Sequence, residues 1–263
     1  MLNIIVCMKQ VIDPEAPASA FKIDTEANRA VPPKGTPPVL NPNDENALEA
    51  AVRIKEAQGA KINVISMGNQ LARPVVKKSL SVGADELYLL EDALFEDLDS
   101  YSSASTLAAA IKKLGDFDII LCGRQAADTD AGQVGSGIAE ILGIPSVTTA
   151  QKVEVTDGKI KVERVVADGY EVIEVSTPAV ITASNEIGDL RSPTVKAVME
   201  ARKKDFTVWT AADLGVNPVE LRKTNLLKLF IPVSDNVCEI VAGETPEETG
   251  ANLALKLREA KVV

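Results

Sequence analysis

An α/β fold with a doubly wound, mainly parallel sheet is what this sequence predicts, carrying an antiparallel meander and a C-terminal arm. Three observations lead there. Apolar runs at residues 2–7, 61–67, 86–90 and 117–122 alternate with stretches whose apolar residues recur every three or four positions, the strand–helix rhythm of a parallel sheet covered on both faces. From about Val147 the period changes to simple alternation, with Asp157-Gly158 and Asp168-Gly169 as turns, which marks antiparallel strands. After Asp205 the chain breaks into short pieces around Pro218 and Pro232 and ends in a single amphipathic stretch. Such a tail buries too little on its own, so a body over 1–204 is expected, with an arm over 205–263 lying against another subunit.

The first strand, 2–7, ends in the polar run Met8-Lys9-Gln10. Residues 13–40 are proline-rich and read as a surface excursion containing a hairpin, with weak strand candidates at 21–24 and 30–31. Asn41-Pro42-Asn43-Asp44 then opens a helix: Asn41 suits the N-cap, Pro42 the first helical position, and Asp44 and Glu45 the positive end of the dipole. Leu48, Val52, Ala47 and Ala51 form its buried face, and Gly59 ends it. The strand at 61–67 leads through Gly68-Asn69 into a helix over 71–82, and the strand at 86–90 leads through an acidic connector into a helix over 101–114. Strand 117–122 is followed by a polar loop and a helix marked by Ile138, Ala139, Ile141 and Leu142. The meander strands are expected at 152–155, 160–166 and 171–175, then an apolar strand at 179–183. Residues 184–204 read as a polar loop entering a short basic helix, and the last helix, about 247–260, carries Leu253 and Leu257 on one side.

Composition narrows the chemistry. Of 263 residues 46% are hydrophobic and only 3% aromatic, so the core must be aliphatic. No run is long and apolar enough to span a bilayer, and the N-terminus lacks the charged start and cleavage site of a signal peptide. Cys7, Cys122 and Cys238 lie far apart with no CxxC pair. A structural zinc or a disulfide framework is therefore not expected, and a reducing cytoplasm fits. A net charge of −10 argues against nucleic acid or an anionic membrane surface as partner. There is no histidine, which excludes Ser-His-Asp and Cys-His nucleophilic sites and most transition-metal sites. Redox or transfer chemistry here would be carried by a bound cofactor.

In an open parallel sheet, ligands collect beyond the carboxyl ends of strands, where loops lead into helix N-termini. The loop after strand 117–122 is unusually polar for a crossover, with Arg124, Gln125, Asp128, Thr129, Asp130 and Gln133, and Gly132, Gly135 and Gly137 permit close backbone approach. It lacks the GxGxxG order and the P-loop ending, and glycines serving only helix packing are the plainer account. The strand ends Cys7-Met8, Met67-Gly68 and Cys122-Gly123 and the Asn41 helix start would share one edge if the strands are neighbours. That convergence predicts a nucleotide pocket for a phosphate-bearing ligand.

The chain resembles the β subunit of electron transfer flavoproteins over essentially its whole length. The matching pieces are Val6-Cys7-Met8-Lys9-Gln10-Val11-Ile12-Asp13, Asn41-Pro42 with the helix after it, Val64-Ile65-Ser66-Met67-Gly68, Gly83-Ala84-Asp85, Cys122-Gly123-Arg124-Gln125-Ala126-Ala127-Asp128 with Gln133-Val134-Gly135, Pro178-Ala179-Val180 and Ala201-Arg202-Lys203-Lys204. The resemblance implies an adenine nucleotide α-hydrolase-like fold, an αβ heterodimer, and a C-terminal arm around the α subunit. It also implies a nucleotide site formed by Cys7, by Asn41, Pro42, Asn43 and Asp44, by Met67 and Gly68, and by Gly123, Arg124, Gln125, Ala126, Ala127, Asp128, Thr129, Asp130, Ala131, Gly132, Gln133 and Val134.

Two branches of the family differ in the ligand held there. In the housekeeping branch it is AMP, with a single FAD in the α subunit. In the bifurcating branch it is a second FAD that takes hydride from NADH, sends one electron to ferredoxin and passes the other through the α-subunit FAD to an acyl-CoA dehydrogenase or reductase. This chain is more similar to the bifurcating branch through Arg124, where the other branch more often has lysine, and through the hydroxyl-rich segment 101–106. Those hydroxyls are expected to donate to a flavin or pyrophosphate and Arg124 to stabilise charge near the flavin; the plainer account has residues 102–106 merely capping a helix and Arg124 paired with Asp128 or Asp130. Partner recognition maps by resemblance to residues 185–204, with Val195 and Met199 as contact residues; Val195-Lys196 replaces the family's usual Leu-Pro.

Overall fold

The computed structural model describes residues 1–156, 158–232 and 238–262. Asp157, half of one expected turn, lies outside them. Nine strands form one sheet: β1 (Leu2–Met8), β2 (Ala60–Gly68), β3 (Glu86–Glu91), β4 (Ile119–Gly123), β5 (Ser146–Thr156), β6 (Lys159–Val166), β7 (Gly169–Ser176), β8 (Ala179–Ala183) and β9 (Thr207–Trp209). Their order across the sheet is β7-β6-β5-β8-β4-β1-β2-β3-β9. β1 lies parallel between β2 and β4, so that Val6 faces Val64 on one side and Leu121 on the other. β8 continues the parallel part beside β4, and β5, β6 and β7 form the antiparallel meander.

Successive residues of a strand point to opposite faces, and each face here has its own apolar layer. Ile4, Val6, Ile62 and Leu121 pack with Leu48 and Ala51 of α1 (Pro42–Gln58). Ile5, Cys7, Ile65, Ile120 and Cys122 pack with Ala104 and Ile111 of α2 (Ser100–Leu114) and Ile138 of α3 (Val134–Leu142). Burial on both faces explains why these strands read as continuous apolar runs.

Three elements differ from expectation. The helix expected over 71–82 is two short ones, Arg73–Val76 and Lys78–Val82. Ser79 Oγ donates to Val76 O at 2.7 Å and Ser81 Oγ to Lys78 O at 2.6 Å, local bonds of the kind that compete with a regular helix. The excursion before α1 holds its hairpin, Lys22–Asp24 against Arg29–Val31, and adds a two-residue pairing of Gln10–Val11 with Val39–Leu40. Past Asp205 the chain stays on the sheet: β9 runs parallel to β3, and Trp209 lies against Tyr88 with ring centroids 5.1 Å apart. The helix Ala211–Leu214 follows, begun by a capping box between Thr210 and Asp213.

Further on, Leu226, Leu227, Phe230, Ile231 and Ile240 are exposed, and the last helix, Pro246–Glu259, buries none of its residues. Between β8 and β9 lies one more helix, α4 (Val195–Lys203). Among the described residues no helix is long and apolar enough to cross a membrane.

Candidate functional site at the strand tips

The register brings the three strand ends together. Cys7 is the neighbour of Cys122 across β1 and β4, and Met8 faces Ser66 just before Met67 and Gly68 end β2. Cys7 and Cys122 are 6% and 5% exposed, which makes them the floor beneath the rim. Cys7 beside it, together with burial, pushes the Cys122 thiol well up, so it stays protonated and inert.

α1 is fastened to this edge by its first turn. Asn41 stands at the N-cap but makes no capping bond with its side chain, unlike the role expected of it. Its amide nitrogen donates to Gln125 O at 2.8 Å, its amide oxygen accepts Ala127 N at 3.0 Å, and its backbone N–H donates to Lys9 O at 2.8 Å. Asp44 accepts Lys9 N at 2.7 Å and Gly123 N at 2.9 Å. Burial pushes the Asp44 carboxyl up to about 6 against the pull of those N–H groups. Gly123 is required by this contact, since a Cβ there would lie 2.5 Å from both the Asn43 carbonyl carbon and Asp44 Oδ1.

The loop that follows turns on Asp130 (φ +49°) and Gly132 (φ +62°). Thr129 N and Asp130 N both donate to Ala126 O, and Gln125 Nε2 donates to Asp130 Oδ1 at 2.8 Å. Thr129, Asp130, Ala131, Gly132 and Gln133 are exposed, and α3 starts at Val134 with no side-chain cap on its amides. The other two glycines serve packing: a Cβ on Gly135 would meet Thr182 Cγ2 at 2.6 Å, and one on Gly137 would meet Ala104 Cβ at 2.9 Å. For them the plainer account is right.

Arg124 is exposed and forms no ion pair among the described residues. Asp128 is taken by Lys9 Nζ, at 2.7 and 2.9 Å, and Asp130 by Gln125. Glu186 is the carboxylate whose charge feels Arg124, though its downward shift owes most to the Ser184 hydroxyl. The hydroxyls of Ser102 and Thr106 are another correction. Ser102 Oγ donates to Asp99 at 2.6 Å and Thr106 Oγ1 to Ser102 O at 2.8 Å, both fully buried, while the Tyr101 ring lies under Lys223 Nζ. Neither Ser102 nor Thr106 can donate to a ligand.

A cleft of about 720 Å³ opens beside the rim. Met67, Gly68 and Asp128 line it with Lys9, Gln10, Arg29 of the hairpin, and Phe95. Cys7, residues 41–44, 123–127 and 129–134 do not line it; of the expected loop only Asp128 does. Lys9, Arg29 and Phe95 escaped the sequence reading. Lys9 alone left a signal, as the cation directly after the strand end Cys7-Met8. Among the described residues no group of His, Cys, Asp and Glu is arranged to hold a metal ion.

The fold and rim define a class: an α/β protein whose strand tips, one helix start and one glycine-bearing loop share a single polar edge beside a cleft of nucleotide size. Residues 34–214 match the electron transfer flavoprotein domain. The chain is 41% identical to an electron transfer flavoprotein subunit beta of Thermoanaerobacterium thermosaccharolyticum, over 100% of both chains. It is 38% identical to the caffeyl-CoA reductase-Etf complex subunit CarD of Acetobacterium woodii and 33% identical to the acryloyl-CoA reductase electron transfer subunit gamma of Anaerotignum propionicum, again over 100% of both chains in each case. The chain belongs to the electron transfer flavoprotein family, as a β subunit.

Proposed function

We propose that this β subunit, paired with an electron transfer flavoprotein α subunit, holds an FAD at the strand-tip rim and serves electron bifurcation, with NADH as hydride donor and with ferredoxin and, through the α-subunit FAD, an acyl-CoA dehydrogenase or reductase as acceptors. FAD, when bound, supplies acceptance of two electrons together and their release singly. The residues present suit such a dinucleotide. Uncapped amides at the start of α3 offer N–H groups to phosphate, and the bend at Gly132 leads the backbone into them. Arg124, without an ion pair among the described residues, adds a guanidinium cation. Met67 and Gly68 give a flat wall where β2 ends.

Size is the observation that carries the reading. The cleft of about 720 Å³ is lined by Asp128, Met67, Gly68 and Phe95 among others, in the upper part of the range of cofactor pockets. The full-length likeness to a subunit of a caffeyl-CoA reductase-Etf complex supports the same choice. The test is the ligand inventory of the purified αβ pair after denaturation: two flavins per heterodimer and no AMP supports it. One flavin with one AMP overturns it in favour of a housekeeping carrier.

The segment from residue 205 is proposed as the arm that docks on the α subunit, its start seated on the sheet through β9 and its exposed apolar residues from Leu226 onward forming the contact. Val195 and Met199, 79% and 58% exposed and one turn apart on α4, are proposed to meet the dehydrogenase. All three cysteines are free thiols, in keeping with a reducing cytoplasm as the proposed compartment.

A further inference from the structure

We propose that Arg191 is the positioning residue of the docking helix α4, fixing the segment that leads into it to α1 through Glu49 and Glu56; this rests on the reading of α4 as the element that meets the dehydrogenase. Asn46, Glu49, Arg53 and Glu56 follow one another along α1 at intervals of three, four and three residues, which puts them on one stripe. All four hold the segment 187–191. Asn46 Nδ2 donates to Gly188 O at 2.8 Å and Arg53 Nη1 to Ile187 O at 2.7 Å. Arg191 donates to Glu49 from Nε at 3.0 Å, from Nη2 at 2.9 Å and from its backbone N–H at 3.2 Å. It also reaches Glu56 from Nη2 at 3.1 Å and from Nη1. Glu49 is 3% exposed, while the Arg191 side chain is about one-third and Glu56 mostly exposed, so the bond to Glu49 is the partly desolvated one and the most sensitive to geometry.

Packing does not fix α4 by itself. The helix has nine residues and buries only Ala201, and a helix of that length is marginal alone. The segment before it and its far end are tied instead. Thr194, three positions after Arg191, caps the helix itself, its Oγ1 accepting Ala197 N at 3.2 Å. At the far end, Lys77 Nζ donates to Arg202 O at 3.0 Å and to Lys204 O at 2.8 Å. α1 thereby serves both sites, its first turn holding the rim through Asn41 and Asp44 and its middle holding the segment that leads into α4. A docking element fixed before contact loses less freedom on binding, which strengthens association. A planar fork is needed for this: lysine keeps the charge but cannot bond Glu49 twice and Glu56 together.

The experiment uses the αβ heterodimer with its native cofactors and, as probe, a short-chain acyl-CoA dehydrogenase reduced with butyryl-CoA. KM and kcat for the heterodimer as electron acceptor are measured for wild type, Arg191→Lys and Val195→Asp, with ligand content and thermal midpoint alongside. Arg191→Lys is expected to raise KM about tenfold, leaving kcat and ligand content within about twofold. An unchanged KM in Arg191→Lys, whatever the midpoint does, makes the clamp a brace of the fold and overturns the proposal, and so does a loss confined to kcat or ligand content. An unchanged KM in Val195→Asp, or a wild type that accepts no electrons from the probe, overturns the docking reading itself.

Discussion

Replacing Gly123 by alanine inserts one methyl group where α1 leaves no room. The new carbon would stand 2.5 Å from the Asn43 carbonyl carbon, 2.5 Å from Asp44 Oδ1 and 2.7 Å from Asp44 N. Carbon atoms in contact settle at about 3.5–4.0 Å, so the gap is short by roughly 1 Å. Nothing nearby yields easily, because two of those atoms are backbone and the third belongs to a carboxylate committed to Lys9 N and Gly123 N. The first turn of α1 must retreat, and the Gly123 N–Asp44 Oδ1 bond of 2.9 Å goes with it. Overpacking costs about 1–3 kcal/mol and an orphaned buried N–H about 1–3 kcal/mol. Together they remove roughly 2–6 kcal/mol of a total of about 5–15, which lowers the unfolding midpoint by roughly 5–20 °C in a chain of this size. Calorimetry of the purified heterodimer reads this out, with Gly215→Ala as control. Gly215 also has positive φ (+65°) but nothing within 4 Å of its Cβ position, so it carries only a backbone cost of about 1–2 kcal/mol. Melting of Gly123→Ala within about 2 °C of the control would refute the close contact and the fastening of α1 to the rim.

Asp44→Asn tests the buried carboxyl. Because burial raises it from 3.8 to about 6, the folded chain keeps a proton between those pH values that the unfolded chain has released. Stability therefore falls as pH rises through that window, by about 3 kcal/mol in all, and the full cost is present above it. Urea titrations from pH 3.5 to 7 should show wild type losing ground to Asp44→Asn across that interval, on top of a constant loss in the variant from one unpaired N–H; parallel profiles would sink the claim. Arg124→Ala should melt within about 0.5 kcal/mol of wild type yet bind the rim ligand about tenfold more weakly. Unchanged flavin content and NADH-dependent ferredoxin reduction would count against its role. Ending the chain after Thr224 removes the exposed Leu226, Leu227, Phe230 and Ile231 and the last helix. Assembly with the α subunit should be lost in size-exclusion chromatography while circular dichroism still reports the sheet, and a stable heterodimer without the tail would disprove the arm.

Periodicity made the sheet legible because β1, β2, β4 and β8 are buried on both faces, and burial writes itself as unbroken Ile, Val and Leu. It did not reach β9, whose three residues are too few to show any period. Side-chain duties were hidden wherever the partner lies far along the chain. Asn41 sits at a helix start, but its amide bonds to residues 84 and 86 positions away. Ser102 and Thr106 look like donors waiting for a ligand, yet Asp99 and the backbone of their own helix take both hydroxyls. Gly135 and Gly137 carry the same letter as Gly132, and only the neighbours Thr182 and Ala104 reveal that they serve packing.

Holding an anion is a local problem in a chain with net charge −10. Exposed charges further away than about 8 Å are largely screened at physiological salt, so the rim's own groups decide. Lys9 stands at the right place but is spent on Asp128, a pair 44% and 31% exposed, and such pairs are individually weak. A phosphate arriving at the rim can thus compete for Lys9 at small expense, while Asp44, held between Lys9 N and Gly123 N, cannot move to do the same. The division of labour follows from burial: the carboxylate that shapes the edge is locked beneath it, and the cations proposed to meet a ligand, Arg124 and Lys9, remain exposed to water.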